Sequence, residues 1–122
     1  MRITGGTLTG RNLRTANSPG LRPTKDMVRQ SVFMMLAGAL PETRVLDLFA
    51  GTGALGLEAL SRGAAGVVFV ETGRPGLDLL RRNIAALGVA GSAQVLARDA
   101  TRTGPLPGAP FDEELVLSND GA

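Results

Sequence analysis

The sequence predicts an α/β fold in which a parallel sheet is covered by helices. Three observations point there. Short β-rich apolar runs alternate with segments of helical period, as in a chain of βαβ units. The predicted strands are nearly continuous in apolar residues, which suits strands shielded on both faces. The run Val45-Leu46-Asp47-Leu48-Phe49-Ala50-Gly51-Thr52-Gly53-Ala54-Leu55-Gly56 passes from a strand through an acid and a glycine turn into a helix. Glycines let a backbone turn sharply and approach a ligand where a Cβ would collide. A length of 122 residues bounds this to one domain with a modest core.

In chain order, residues 1–23 carry Gly5-Gly6, Gly10 and Ser18-Pro19-Gly20 between Ile3, Leu8 and Leu13. That pattern predicts short strand pieces forming a hairpin. Pro23-Thr24 begins a helix, with Thr24 as N-cap and Asp26 facing the positive helix end. Val28, Val32, Met35, Leu36 and Leu40 recur at helical spacing as far as Pro41 and predict the buried face. Residues 44–49 then read as a strand, 53–62 as a helix and 66–70 as a second strand. A helix over 75–87 carries Leu77, Leu80, Ile84 and Leu87 on one stripe, and 93–97 form a third strand. Residues 104–110 are a proline- and glycine-rich loop before a fourth strand at 114–118.

In such sheets ligands sit beyond the carboxyl ends of the strands. Asp47, Glu71 and Asp99 each fall at or just past a predicted strand end. Gly51-Thr52-Gly53-Ala54-Leu55-Gly56 spells G-x-G-x-x-G, and Glu71 follows at the spacing of a ribose-binding acid, so a dinucleotide such as NAD is one reading. Asp47, four residues before Gly51, argues for another, since it would repel a pyrophosphate and attract a cation. S-adenosylmethionine carries a sulfonium and an ammonium and no phosphate. A plain turn capped by Asp47 is the third possibility.

Cysteine and histidine are both absent, which removes disulfides, Cys/His zinc sites, thiolate nucleophiles and imidazole bases. Methyl transfer to nitrogen survives that exclusion, because a sulfonium is already activated and the protein chiefly positions the partners. The opening residues lack the apolar core of a signal peptide, and no stretch has the length of a membrane span. The chain is therefore expected in the cytoplasm, without membrane or metal. Charge is unevenly spread. Residues 1–30 carry Arg2, Arg11, Arg14, Arg22, Lys25 and Arg29 against Asp26 alone, while the rest has seven arginines against ten acids. A net +5 beside −3 reads as a nucleic-acid-contacting arm, with a solvated basic arm as the plainer alternative.

Three segments carry a family resemblance: Met1-Arg2-Ile3-Thr4-Gly5-Gly6, Gly10-Arg11-Asn12-Leu13, and the stretch from Leu21-Arg22-Pro23-Thr24 to Arg29-Gln30-Ser31-Val32-Phe33. With the loop from Asp47 to Ala64, they resemble the bacterial RsmD-type 16S ribosomal RNA guanine-N2 methyltransferases, nearly continuously to about Asp112. The resemblance implies a Rossmann-like S-adenosylmethionine-dependent methyltransferase fold with a small N-terminal β extension. It divides the chain into a basic, RNA-contacting extension over 1–23 and a partial methyltransferase domain over 24–122. Asp47, Gly51 and Gly53 would line the methionine moiety of S-adenosylmethionine, with Phe49 beside them, Glu71 at the ribose, and Asp99 with Ala100 at the adenine. Arg2, Arg11, Arg22, Thr24 and Arg29 would help hold 16S RNA or the assembling small ribosomal subunit, the protein acting as a monomer.

Two departures stand out. Gln30 occupies a place where the family usually has an acid. After Phe111-Asp112 the family continues to an acid or asparagine, Pro-Pro and an aromatic, which position the target amine; here no Pro-Pro and no later aromatic follows. No catalytic residue is therefore assigned, and the chain is expected to be a C-terminally incomplete or inactive form. A non-catalytic RNA- or cofactor-binding module is the alternative, and an NAD-dependent oxidoreductase the more distant one.

Overall fold

Four parallel strands make the frame: β1 (Arg44–Leu48), β2 (Gly66–Val70), β3 (Ala93–Leu96) and β4 (Glu114–Ser118), in the spatial order β3-β2-β1-β4. The computed structural model describes residues 1–15, 23–102 and 114–118. Three helices accompany the strands: α1 (Pro23–Met35), α2 (Ala54–Ser61) and α3 (Arg74–Leu87). The chain steps from β1 to β2 to β3 and then returns to the opposite side of β1. This reversal puts a switch point between β1 and β4, where open parallel sheets leave a crevice at the strand ends. Asp47 stands there, in register with Phe69 of β2 and Leu117 of β4.

Alternation along the strands divides the core. Val45, Val67 and Phe69 face one side and pack with Phe33, Leu57, Leu80, Ile84 and Leu87. Leu46, Val68 and Val70 face the other, with Leu48, Leu96 and Ala100 against them. All three described helices thus contribute to the first face. Successive right-handed crossovers that advance in one direction must place their helices on one side. The loop expected over 104–110 lies outside the described residues.

The expected strands appear almost as read, and α3 buries Leu77, Leu80, Ile84 and Leu87. The first helix differs in three ways. It begins at Pro23, so Thr24 sits inside the first turn rather than at the N-cap; proline is well suited to a first helical position. It ends at Met35, and Leu36 to Leu40 continue as turns. Its expected buried face is largely exposed: Val28 is 62% and Met35 86% accessible, whereas Arg29 and Phe33 are buried. The physical reason is a buried acid on α2, described below, that draws Arg29 inward and turns the helix with it.

Residues 1–13 form the expected hairpin. The Ile3 N–H donates to the Arg11 carbonyl at 3.0 Å, the Leu13 N–H to the Met1 carbonyl at 2.8 Å, and Arg2 bridges Asn12 in antiparallel fashion. Ile3 and Leu13 enter the main core, so the hairpin is built onto the sheet domain. Among the described residues, no helix is long and apolar enough to cross a membrane.

Candidate cofactor-binding site

The site begins where β1 runs out. Beyond Leu48 the backbone enters left-handed conformations at Phe49 (φ 55°), Gly51 (φ 56°) and Gly53 (φ 88°). Phe49 is not a glycine, so this conformation costs roughly 1–3 kcal/mol, the sort of strain that gathers at ligand sites. It leaves the ring of Phe49 partly exposed at the strand end. Gly53 is required twice over. Its φ is unfavourable for other residues, and a Cβ would lie 2.4 Å from Leu80 Cδ1.

Two acids hold this turn. Asp47 is fully buried, and its Oδ2 accepts the Gly56 N–H of α2 at 3.0 Å. Among the described residues, its Oδ1 is buried without a hydrogen-bond partner. Burial pushes the Asp47 carboxyl up to about 7; the Gly56 N–H opposes the rise and the nearby Glu71 charge adds to it. Glu71, one residue past β2, accepts the Gly51 N–H at 2.7 Å through Oε1 and the Gly73 N–H at 2.7 Å through Oε2. Two donors that could have faced a pyrophosphate, Gly51 and Gly56, are thus turned onto carboxylates. With Asp47 and Glu71 bonded to it, the turn disfavours a further anion and suits a cation.

Asp99 lies past β3, exposed, and its Oδ1 accepts both the N–H (2.8 Å) and the hydroxyl (2.7 Å) of Thr101. Those bonds hold its carboxyl below the usual range. Ala100 packs on the second core cluster. The fold therefore joins Asp47, Gly51, Gly53 and Glu71 through one hydrogen-bonded turn, with Phe49 at its rim. Asp99 and Ala100 follow the neighbouring strand without a hydrogen bond to that turn among the described residues. No group of three or more acids able to hold a metal occurs among the described residues.

Of the expected RNA contacts, Arg2 and Arg11 are exposed on the hairpin, and Arg11 donates to the Ala86 carbonyl at 2.8 Å. Arg2, but not Arg11, lines an open cleft of about 540 Å³ between hairpin and α1, together with Thr4, Thr9, Met27 and Gln30 among others. Arg22 lies outside the described residues, and of Thr24 only the helical backbone is described. Arg29 corrects the expectation. It is 5% exposed, its Nε donates to Glu58 Oε1 at 3.1 Å, and its terminal nitrogen bonds the Arg2 carbonyl. It organises the arm from inside and does not present its guanidinium to a ligand.

Glu58 is the residue that reading the sequence passed over. Fully buried on α2, it accepts from Arg29, from Arg62 at 2.8 Å, and from the N–H groups of Thr4 (2.9 Å) and Gly5 (2.9 Å). Burial alone would raise its carboxyl; the bonds from Arg62, Thr4 and Arg29 outweigh that and hold it below the usual range. Ser61 completes the joint. Its carbonyl accepts the Thr7 N–H at 2.8 Å and its hydroxyl takes the Leu8 N–H at 2.9 Å. A Cβ on Gly6 (φ 83°) would lie 1.9 Å from that carbonyl, so only glycine permits the approach. A lone acid in the apolar helix Ala-Leu-Gly-Leu-Glu-Ala-Leu-Ser was the available signal.

The parallel β3-β2-β1-β4 sheet with a glycine turn after β1 is Rossmann-like, and its likeness to solved methyltransferases makes it the Rossmann-like S-adenosylmethionine-dependent methyltransferase fold. The C-terminal domain of precorrin-6Y C5,15-methyltransferase from Rhodobacter capsulatus shares this fold, with a TM-score of 0.57 at 20% identity over 72% of this chain and 48% of that one. Residues 1–113 match the family described as Conserved hypothetical protein 95. The chain belongs to that family, the RsmD-type methyltransferases. Ribosomal RNA small subunit methyltransferase D of Escherichia coli (strain K12) is 49% identical over 100 residues, covering 82% of this chain and 50% of that protein. The solved structure of the Escherichia coli protein yhhF superposes with a TM-score of 0.72 at 44% identity, over 82% of this chain and 53% of that one. This chain spans about half the length of the curated relatives it matches.

Proposed function

We propose that this chain provides the cofactor-binding half of an S-adenosylmethionine-dependent methyltransferase acting on 16S ribosomal RNA at a guanine N2. The observation that carries the reading is Asp47: a buried carboxylate at the switch point, with Oδ1 unpartnered beneath a glycine turn. Such an oxygen lacks a donor, and a cationic ligand group supplies one. Asp47, Gly51 and Gly53 would hold the methionine end of the cofactor, Glu71 the ribose hydroxyls through its remaining lone pairs, and Asp99 with Ala100 the adenine. When bound, the cofactor supplies an activated methyl group; the protein's part is to orient it and keep water away.

The RNA part of the proposal rests on the names of the relatives, on the exposed Arg2 in the hairpin cleft and on the exposed Arg11 of the same hairpin. It keeps residues 1–23 as the RNA-contacting extension and 24–122 as the partial methyltransferase domain. The acceptor-positioning Pro-Pro-aromatic motif is absent from the 122 residues, so methyl transfer is expected only where that motif is also supplied.

Calorimetric titration tests the cofactor reading. S-adenosylhomocysteine should bind the chain, and Glu71→Ala should weaken it. NAD should not compete, because the donors a pyrophosphate needs are held by Asp47 and Glu71. Binding of NAD in preference would sink the reading.

A further inference from the structure

Asn83 occupies the middle of α3, beside the stripe filled by Leu80, Ile84 and Leu87, and is 1% exposed. An amide in such a place needs partners, and its bonds identify them. Oδ1 accepts the Arg14 N–H at 2.7 Å, while Nδ2 donates to the Arg14 carbonyl at 3.0 Å and to the Thr52 carbonyl at 2.9 Å. Reversing the amide would set its oxygen against two carbonyls, so the partners determine its orientation. Thr52 lies between Gly51 and Gly53 in the cofactor turn. Arg14 follows the second arm of the hairpin, and Arg11 is tethered to the same helix at Ala86. One side chain therefore holds both the turn and the arm. Leucine, which the packing of the stripe would favour, would leave three backbone groups of those two segments without this partner.

Building on the cofactor reading above, we propose that Asn83 is a positioning residue that locks the glycine turn to the N-terminal arm, so that ligand in the turn steadies the arm. By thermodynamic reciprocity, a ligand held on the arm steadies the turn to the same extent.

Residue-resolved amide hydrogen exchange on the 122-residue chain, with and without S-adenosylhomocysteine, tests this. Saturating ligand should slow exchange at the Gly51, Gly53 and Gly56 amides and also at Arg14, the latter by at least about fivefold, the low end of ordinary coupling. In Asn83→Ala the turn should still respond and Arg14 should not. A merely structural asparagine would lower protection at Arg14 equally with and without ligand. Protection of the turn without Arg14 in the unmodified chain overturns the coupling and leaves the cofactor reading standing. Persistence of the Arg14 response in Asn83→Ala also overturns it. No response anywhere removes both. A second variant, Asn83→Asp, keeps an acceptor for the Arg14 N–H and removes the donor to Thr52; it too should abolish the Arg14 response, and persistence of the response there overturns the proposal.

Discussion

Asp47 and Glu58 are both shielded from solvent, yet burial works on them against different partners. Asp47 has one backbone donor, and its folded-state carboxyl rises from 3.8 to about 7. A raised carboxyl binds its proton more tightly in the folded state, so the associated stability is complete below about pH 4 and lost as pH rises through about 7. Asp47→Asn removes the buried charge. In urea unfolding it should stabilise the ligand-free chain at pH 8 and leave it nearly unchanged at pH 4. The same substitution should weaken S-adenosylhomocysteine by about tenfold or more at pH 8, the worth of one charge-assisted hydrogen bond. Glu58 has the opposite sign: lowered in the folded state, it contributes stability above pH 4.5 that is lost as acid protonates it. Glu58→Ala should cost about 3–5 kcal/mol at neutral pH by stranding Arg29 and Arg62, with the deficit shrinking toward low pH. An effect below 1 kcal/mol would show that the ion cluster is not what fastens the hairpin.

Elements differ in how far their own sequence dictates their burial. β2 and α3 were legible because their partners are apolar and their periods unambiguous: Gly66–Val70 is a continuous apolar run, and Leu77, Leu80, Ile84 and Leu87 mark one stripe. The turn at Asp47 and Gly51 was legible because few residue types allow it. α1 misled because its apolar residues form a helical stripe of their own. What fixes its rotation is Glu58, 29 residues further along, whose need for cations brings Arg29 inward and Phe33 after it. No period within α1 contains that information. The rotation is checked by two substitutions in thermal or chemical unfolding. Met35→Lys, at an 86% exposed site, should stay within about 0.5 kcal/mol of the parent. Phe33→Ala, at a fully buried one, should lose about 3–5 kcal/mol. Asn83 escaped reading for the same reason as Glu58: both partners of its amide are backbone groups distant in the chain.

For the molecule as a whole, the described hairpin is packed onto the sheet and its glycine turn through a shared core. Ile3 and Leu13 lie in the core shared by α2 and α3, and Phe33 of α1 joins them. The hydrogen bonds that hold the hairpin span 54 residues to Glu58 and 69 to Asn83. That separation has a consequence for the order of assembly. The hairpin is synthesised before α2 and α3, but the surface it docks on exists only once those helices have been made and packed. Its contacts close loops of 54 and 69 residues, comparable with the 70 residues between the paired Arg44 and Glu114, and because α2 and α3 must be packed first they should form after the rate-limiting step. Stopped-flow chevrons should therefore show Glu58→Ala speeding unfolding while the refolding rate barely changes. During synthesis, the arginine-bearing segment would spend its early life as an unanchored basic peptide beside the ribosome's own RNA.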